Sequence, residues 1–279
     1  MSRIMSGILY IVATPIGNLK DITIRAIEVL KQSDYILAES SARTSKLLQE
    51  FNIKKKIVTF NKDNEKRKRS GILRDLSRGS VLALVSDAGT PSISDPGFEL
   101  VKSFNEDYRI IPIPGASSLT CALSISKIPI NNFIFLGFLP KKSSERKSQL
   151  IKIKNASLPA VVFESKHRLN SVLVEILDIL GPETDIGIMR ELTKIHEDIF
   201  FNKIEEIMKK SEKETLNGEI TMIINHKQEK PLELDSFKNK IMELSKRYST
   251  KEVVNIIKLF SDVDRKELYK YVLSIRHEG

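Results

Sequence analysis

Three stretches of this chain place glycine, proline, hydroxyls and carboxylates directly after apolar runs: ATPIGN at 13–18, SDAGTPSISDPG at 86–97 and IPGASS at 113–118. Glycine lets a backbone approach a ligand closely, and proline keeps a loop from collapsing when its site is empty. Together these loops offer backbone amides, the hydroxyls of Thr90, Ser117 and Ser118, and the carboxylates of Asp87 and Asp95, without a lysine. Such a set is ill suited to a triphosphate and better suited to a neutral or cationic ligand. Any one loop also reads as an ordinary turn, because the same residue types dominate turns. Three of them together make the turn reading the weaker one.

Other chemistries lack their residues. No glycine-rich loop ends in Lys followed by Ser or Thr, and TPIGN after the first apolar run has one glycine where a dinucleotide fingerprint needs three. His167, His196, His226 and His277 show no metal-ligand spacing, so no metal is expected, and no serine sits in a nucleophile elbow. The single cysteine, Cys121, can form neither a disulfide nor a thiolate metal site within the chain, which fits a reducing cytoplasm. The early apolar run GILYIVA is broken by Pro15 and reads as a strand rather than a secretion signal, and no apolar stretch reaches membrane-spanning length.

The elements that must carry the loops alternate. Apolar runs ILYIVA (8–13), YILAE (35–39), KIVTF (56–60), VLALV (81–85) and RIIPI (109–113) are predicted strands, separated by helical patterns. The first helix, ITIRAIEVLKQS, has Asp21 as its predicted cap, and the highly charged third is expected to end near Gly79. This rhythm predicts an α/β fold with a mostly parallel sheet, whose strand carboxyl ends form the ligand crevice. KIPINNFIFLGFLPKK (127–142), with its prolines and glycine, is the predicted connection to a second α/β domain. That domain has strands AVVFE, DIGIM, DIFFN and EITMIIN in a mixed sheet, and a helix ending at Gly181. Three short amphipathic segments then form a helical extension, so the expected domains are 1–126, 127–230 and 231–279.

The net charge is +9, and it is uneven. Residues 54–69 hold eight basic and two acidic groups, and 141–154 hold six and one, so these two segments sum to +11 and the rest is slightly acidic. Clustering of this kind suits a polyanion such as RNA, although a solvated helix face of a basic protein looks the same.

LYIVATPIGNLKDITIRAIEVL, ALVSDAGTPSISDPG, PIPGASS, GFLP, FESKHRL, RELTK and GEITMII occur in this order over nearly the whole chain. In this the chain closely resembles the bacterial ribosomal RNA small subunit methyltransferase I family, within the tetrapyrrole methylase superfamily. The resemblance implies two α/β domains of tetrapyrrole-methylase type and a homodimer. It implies S-adenosylmethionine as cofactor, and methylation of the ribose 2′-hydroxyl of a cytidine in small-subunit ribosomal RNA, free or in the assembled subunit. By similarity, Pro15, Asp87, Gly89, Thr90, Ser117, Ser118 and Phe163 surround the cofactor. Glu164 and Arg168 in FESKHR, and Arg190 and Glu191 in RELTK, are the catalytic candidates, with helix capping, surface charge and salt-bridged strand ends as the plainer alternatives. Arg43, Lys66, Arg67, Lys68, Arg69, Lys141, Lys142, Arg146, His167 and Lys194 are the candidates for RNA contact. The chain departs from the family at AESSAR (38–43): Glu39 remains, Ser40 and Ser41 replace the usual Asp and Thr, and the arginine moves from position 42 to Arg43. A methyltransferase for a tetrapyrrole precursor would leave the basic segments without a role, and a non-enzymatic RNA binder would not need the three loops.

Overall fold

The computed structural model describes residues 7–104, 108–213, 217–226, 234–261 and 263–278. The chain divides into two compact units, meeting at Asn225 and His226.

The first unit opens with β1 (Ile8–Val12), α1 (Ile24–Gln32), β2 (Tyr35–Ala38), α2 (Ser41–Glu50), β3 (Lys56–Thr59), α3 (Glu65–Ser77), β4 (Val81–Val85), α4 (Phe98–Lys102), β5 (Arg109–Ile113) and α5 (Ser118–Ser124). Its five strands pair in parallel in the order β3-β2-β4-β1-β5. The strands are almost wholly apolar because both faces are covered. Alternate residues serve opposite cores: Leu9, Leu37, Leu82 and Leu84 pack with Ile72 and Leu76 of α3. Val12, Ile36, Ala38, Ala83 and Val85 pack with Ala26, Val29 and Leu30 of α1. Since β4, β1 and β5 are neighbours running the same way, the loops leaving them emerge side by side at one edge. Asp21 is not the cap of α1, because it lies in a 3₁₀ turn that Ile22 closes. Thr23, in extended conformation, takes the role by accepting the Ala26 amide at 3.1 Å.

A second sheet follows: β6 (Ile134–Phe138), α6 (Ser143–Ala156), β7 (Ala160–Ser165), α7 (Leu169–Leu180), β8 (Asp185–Arg190), β9 (Asp198–Lys203), α8 (Ile204–Lys213) and β10 (Glu219–Asn225). The order is β6-β7-β10-β8-β9, with only β6 and β7 parallel. One face carries Val162, Ile188 and Met222 against α6, α7 and α8. The other turns Val161, Met189 and Ile223 toward Ile16 and Ala122 of the first sheet's edge. The stretch 127–142, read as a connection, contains the strand β6; its Gly137 sits within a bulge rather than in a linker.

The second unit holds α9 (Lys238–Ser245), α10 (Thr250–Lys258) and α11 (Arg265–Glu278), packed around Ile241, Val253, Ile257, Leu268 and Val272. Ser249 opens α10 with a capping box: its hydroxyl accepts the Glu252 amide, and the Glu252 carboxylate accepts the Ser249 amide at 2.8 Å.

Candidate active site

The three loops do converge. Thr14 and Gly89 exchange backbone hydrogen bonds of 2.9 and 3.0 Å, joining the loops after β1 and β4. Gly89 adopts φ +75°, which glycine takes without steric cost. On the other side the Ala13 amide donates to Ile113 O at 3.2 Å, and a Cβ on Gly115 would sit 3.0 Å from the Ala13 side chain. The β1 loop is also pinned from the second sheet, because a Cβ on Gly17 would lie 2.4 Å from the Lys194 stem.

Between the loops and the second sheet lies a cavity of about 330 Å³. Of the expected cofactor residues, Asp87, Gly89, Thr90, Ser117, Ser118 and Phe163 line it. Pro15 does not: it is buried in its turn, and its neighbour Ile16 is presented instead. Glu39 and Asp95, at the ends of the strand and loop already singled out, complete the acidic side.

The charge balance of this wall decides what it can hold. Glu39, Asp87, Asp95, Glu164 and Glu219 face it, against Arg43 and Lys194. Arg43 lies 3.4 Å from Asp87, whose other oxygen accepts the Ser40 amide at 3.0 Å. Ser40 thus both caps α2 and ties the shifted AESSAR turn to the β4 loop. Burial, then the Glu39 carboxylate, and to a lesser extent Asp87, push the Asp95 carboxyl up to about 6. A carboxyl raised by burial and like charge is relieved by a cation placed beside it. The cavity therefore fits a ligand that is positive where it meets the first sheet.

The second sheet's contribution is organised by ion pairs. Glu164 is 2% exposed; its oxygens accept the Ser165 amide and Arg168 Nη2, both at 2.8 Å. Arg168 also donates to Leu139 O at 2.7 Å and stands behind Glu164 rather than on the cavity wall. Glu191, at φ +52°, accepts Lys194 Nζ and the Glu219 amide, both at 2.8 Å. Burial works against the Glu191 carboxylate, but Lys194 and the Glu219 amide outweigh it and hold it below the usual range. Arg190 lies outside the lining, donating to Asn217 O at 3.0 Å and facing Asp198 at 3.7 Å. Glu164 and Lys194 are thus brought to the cavity; Arg168, Arg190 and Glu191 hold their neighbours in place.

Among the RNA candidates, Lys66, Arg67, Lys141, Lys142 and His167 are exposed. Lys68 is tied to Thr59 O, and Arg69 lies 3.8 Å from Glu99. Arg146 is a correction. It is 6% exposed, it forms a two-pronged pair with Glu175 at 2.6 and 2.7 Å, and it donates to Pro140 O and Lys141 O. Every nitrogen of its guanidinium has a partner, so it is a buried clamp between α6 and α7, not a phosphate contact. Phe138 and Thr221 line the cavity without having been singled out. The glycine inside IFLGF and the lone hydroxyl in EITMIIN were the signals available for them.

The fold and an acid-lined cavity at the carboxyl edge of a parallel sheet define a class, and comparison with known proteins agrees. The family model of Tetrapyrrole (Corrin/Porphyrin) Methylases matches residues 8–208. Diphthine synthase superposes with a TM-score of 0.61 at 15% identity, covering 78% of this chain and 90% of that one, which supports the fold alone. Ribosomal RNA small subunit methyltransferase I of Buchnera aphidicola subsp. Acyrthosiphon pisum is 40% identical over 280 residues, covering 98% of this chain and 99% of that protein. The protein of the same name from Thermotoga maritima is 44% identical over 223 residues, 80% of this chain and 100% of its own. The chain belongs to the tetrapyrrole methylase family and, within it, to the ribosomal RNA small subunit methyltransferase I family. Its methyl donor is S-adenosylmethionine. Among the described residues, no helix is long and apolar enough to cross a membrane.

Proposed function

We propose that the protein methylates the ribose 2′-hydroxyl of a cytidine in small-subunit ribosomal RNA. The observation that carries this is the excess of carboxylates on a cavity reached by three glycine-containing loops, which suits a sulfonium donor. The near full-length likeness to small-subunit methyltransferases narrows the acceptor to ribosomal RNA.

S-adenosylmethionine supplies an electrophilic methyl carbon. Glu39, Asp87 and Asp95 offset its positive charge, and Gly89, Thr90, Ser117 and Ser118 supply close backbone and hydroxyl contacts, with Phe163 closing the far wall. A sugar hydroxyl is a poor nucleophile, so a nearby carboxylate that accepts its proton helps. Glu164 is the second-sheet carboxylate on the wall that suits this task, and Arg168 positions it. Glu191 does not compete for that role, because it is not on the cavity wall. Holding acceptor and donor within reach supplies much of the rate by itself. Lys66, Arg67, Lys141, Lys142 and His167 contact the RNA backbone as exposed cations or donors. We also take the two sheets as separate domains, and the enzyme as a cytoplasmic homodimer.

The test is incubation with methyl-labelled donor and three acceptors: assembled small subunits, free ribosomal RNA and a tetrapyrrole precursor. Label in RNA, at a cytidine whose 3′ linkage becomes resistant to alkali, is the expected result. Label in the tetrapyrrole, or in a base rather than a ribose, overturns the reading. Sedimentation at equilibrium checks the dimer.

A further inference from the structure

Phe138 is 59% exposed although it ends a strand and lines the cavity. Its direction is set by the backbone. Phe135 pairs with Val161 and Phe138 with Phe163, so three residues of β6 span two of β7, with the irregularity between Phe135 and Gly137. In a regular strand, residues three apart point to opposite faces. The bulge restores Phe138 to the face of Phe135 and Phe163, toward the cavity. Gly137 makes this possible with φ +61° and with the Ser94 hydroxyl 2.6 Å from where a Cβ would stand.

The ring is braced. Phe163 meets Phe138 edge-on at 5.5 Å between centroids and Phe135 at 5.1 Å. The contact between Gly137 and Ser94 also brings in Ile93, the next residue, which is 40% exposed and lines the same cavity. Ser92 and Ser94 flank it at φ +70° and +67°, conformations that non-glycine residues hold only at a cost. An exposed aromatic ring set by a bulge and an exposed aliphatic side chain held between two costly serine conformations line one cavity, the pairing of surfaces that takes a planar heterocycle removed from its stack.

We propose that Phe138, with Ile93, is a stacking platform for the nucleobase of the acceptor nucleotide. This rests on the RNA reading above. The donor also carries a planar base, but two observations favour the acceptor. The ring belongs to the second sheet, whereas Glu39, Asp87 and Asp95, assigned to the donor's charge, belong to the first. It is also followed within four residues by the exposed Lys141 and Lys142, which match a phosphate backbone and not a cationic donor. Stacking tolerates any base, so the platform fixes the nucleotide and leaves its identity to other contacts.

The experiment uses Phe138→Ala, Phe138→Tyr and Phe138→Trp, with the parent assayed alongside on unmethylated small subunits. Phe138→Ala is expected to raise KM for small subunits roughly 5- to 150-fold, the size of one lost stacking contact. Its affinity for S-adenosylmethionine, read by calorimetry, should move less than twofold, and Phe138→Tyr should recover most of the loss. Because the chain contains no tryptophan, Phe138→Trp gives a single fluorescent reporter. Its emission should be quenched by small subunits and not by the donor alone. A KM unchanged in Phe138→Ala overturns the platform. Quenching by the donor alone with weakened donor binding also overturns it, since the ring then holds the donor's base. If the parent itself labels no ribosomal RNA, the function reading falls and takes the platform with it; a labelling parent matched by Phe138→Ala removes the platform alone. Should Phe138→Ala melt early, the tyrosine and tryptophan variants still decide.

Discussion

The two rims of the cavity are built by different means. The rim on the parallel sheet is mostly backbone: adjacent strand ends, a pair of hydrogen bonds between Thr14 and Gly89, and glycines that let loops touch. The rim on the mixed sheet is mostly side chain, an array of ion pairs in which Arg168 holds Glu164 and Lys194 joins Glu191 to Glu219. A backbone rim gives fixed donors and acceptors at little entropic cost, which suits a cofactor of constant shape. An ion-pair rim depends on several long side chains and can be rearranged one substitution at a time. Phe163 apart, changes to the second sheet's charged side chains should accordingly leave donor binding little altered and disturb acceptor handling.

The largest effect we expect separates structure from function within the second sheet's own charges. Arg146→Met leaves the Glu175 carboxylate buried without its partner and should cost about 3–5 kcal/mol of stability in urea unfolding. Arg146→Met with Glu175→Leu should recover most of that. Below the unfolding transition, RNA affinity should match the parent; a loss of affinity in the folded variant would return Arg146 to the RNA surface.

Next comes the acidic rim. Asp87→Ala removes the acceptor of the Ser40 amide and the partner of Arg43. It also removes a carboxylate assigned to the donor's positive charge, and a hydrogen bond to a charged group is worth about 1.5–3 kcal/mol, so donor affinity should fall by about ten-fold or more in calorimetry. Glu191→Ala should leave donor affinity within about twofold. Equal losses in both variants would erase the contrast between the rims.

A smaller effect tests the exposed cations. Reversing Lys66 and Arg67 to glutamate should flatten the dependence of log affinity for RNA on log salt by about two. Arg69→Glu should do less, because Glu99 already sits 3.8 Å from that guanidinium. An unchanged slope in the double variant places the RNA elsewhere.

These contrasts also explain what the sequence could and could not reveal. The backbone rim was legible because its causes are local: an apolar run followed by glycine and proline marks a strand end and a loop, and parallel strands bring such ends to one edge. Asp87, Gly89, Thr90, Ser117 and Ser118 line the cavity for this reason, and Phe163 lines it from the second sheet, where only the family resemblance pointed to it; Pro15 is the exception, because a proline's place in a turn does not say which neighbour faces inward. The side-chain rim was not legible to the same degree. Arg146 and Lys142 stand four apart in one basic segment, and only α7, carrying Glu175 some thirty residues on, decides that the first is buried and the second exposed. The cap of α1 was missed because Asp21 and Thr23 are both good caps, and the choice rests on where the 3₁₀ turn closes. Phe138 needed the bulge: by simple alternation, its ring would point away from the cavity.

The smallest effect concerns Asp95 and carries a sign. Burial and the neighbouring Glu39 raise its carboxyl to about 6 in the folded protein, above its ordinary value near 3.8. Below about pH 4 the group is protonated in both states and costs nothing. Between pH 4 and 6 the unfolded chain releases the proton while the fold retains it, so stability falls as pH rises, and above 6 the penalty is constant. Asp95→Asn should therefore melt like the parent near pH 4 and higher than the parent at pH 7.5. Donor binding should run the opposite way. The ionised carboxylate that burdens the empty fold favours a sulfonium, so parent affinity should rise as pH increases through about 6, while that of Asp95→Asn stays flat over the same range. A gain in stability at pH 7.5 without a loss of donor affinity would mean that Asp95 faces the cavity without serving it, and the charge complementarity would then rest on Glu39 and Asp87.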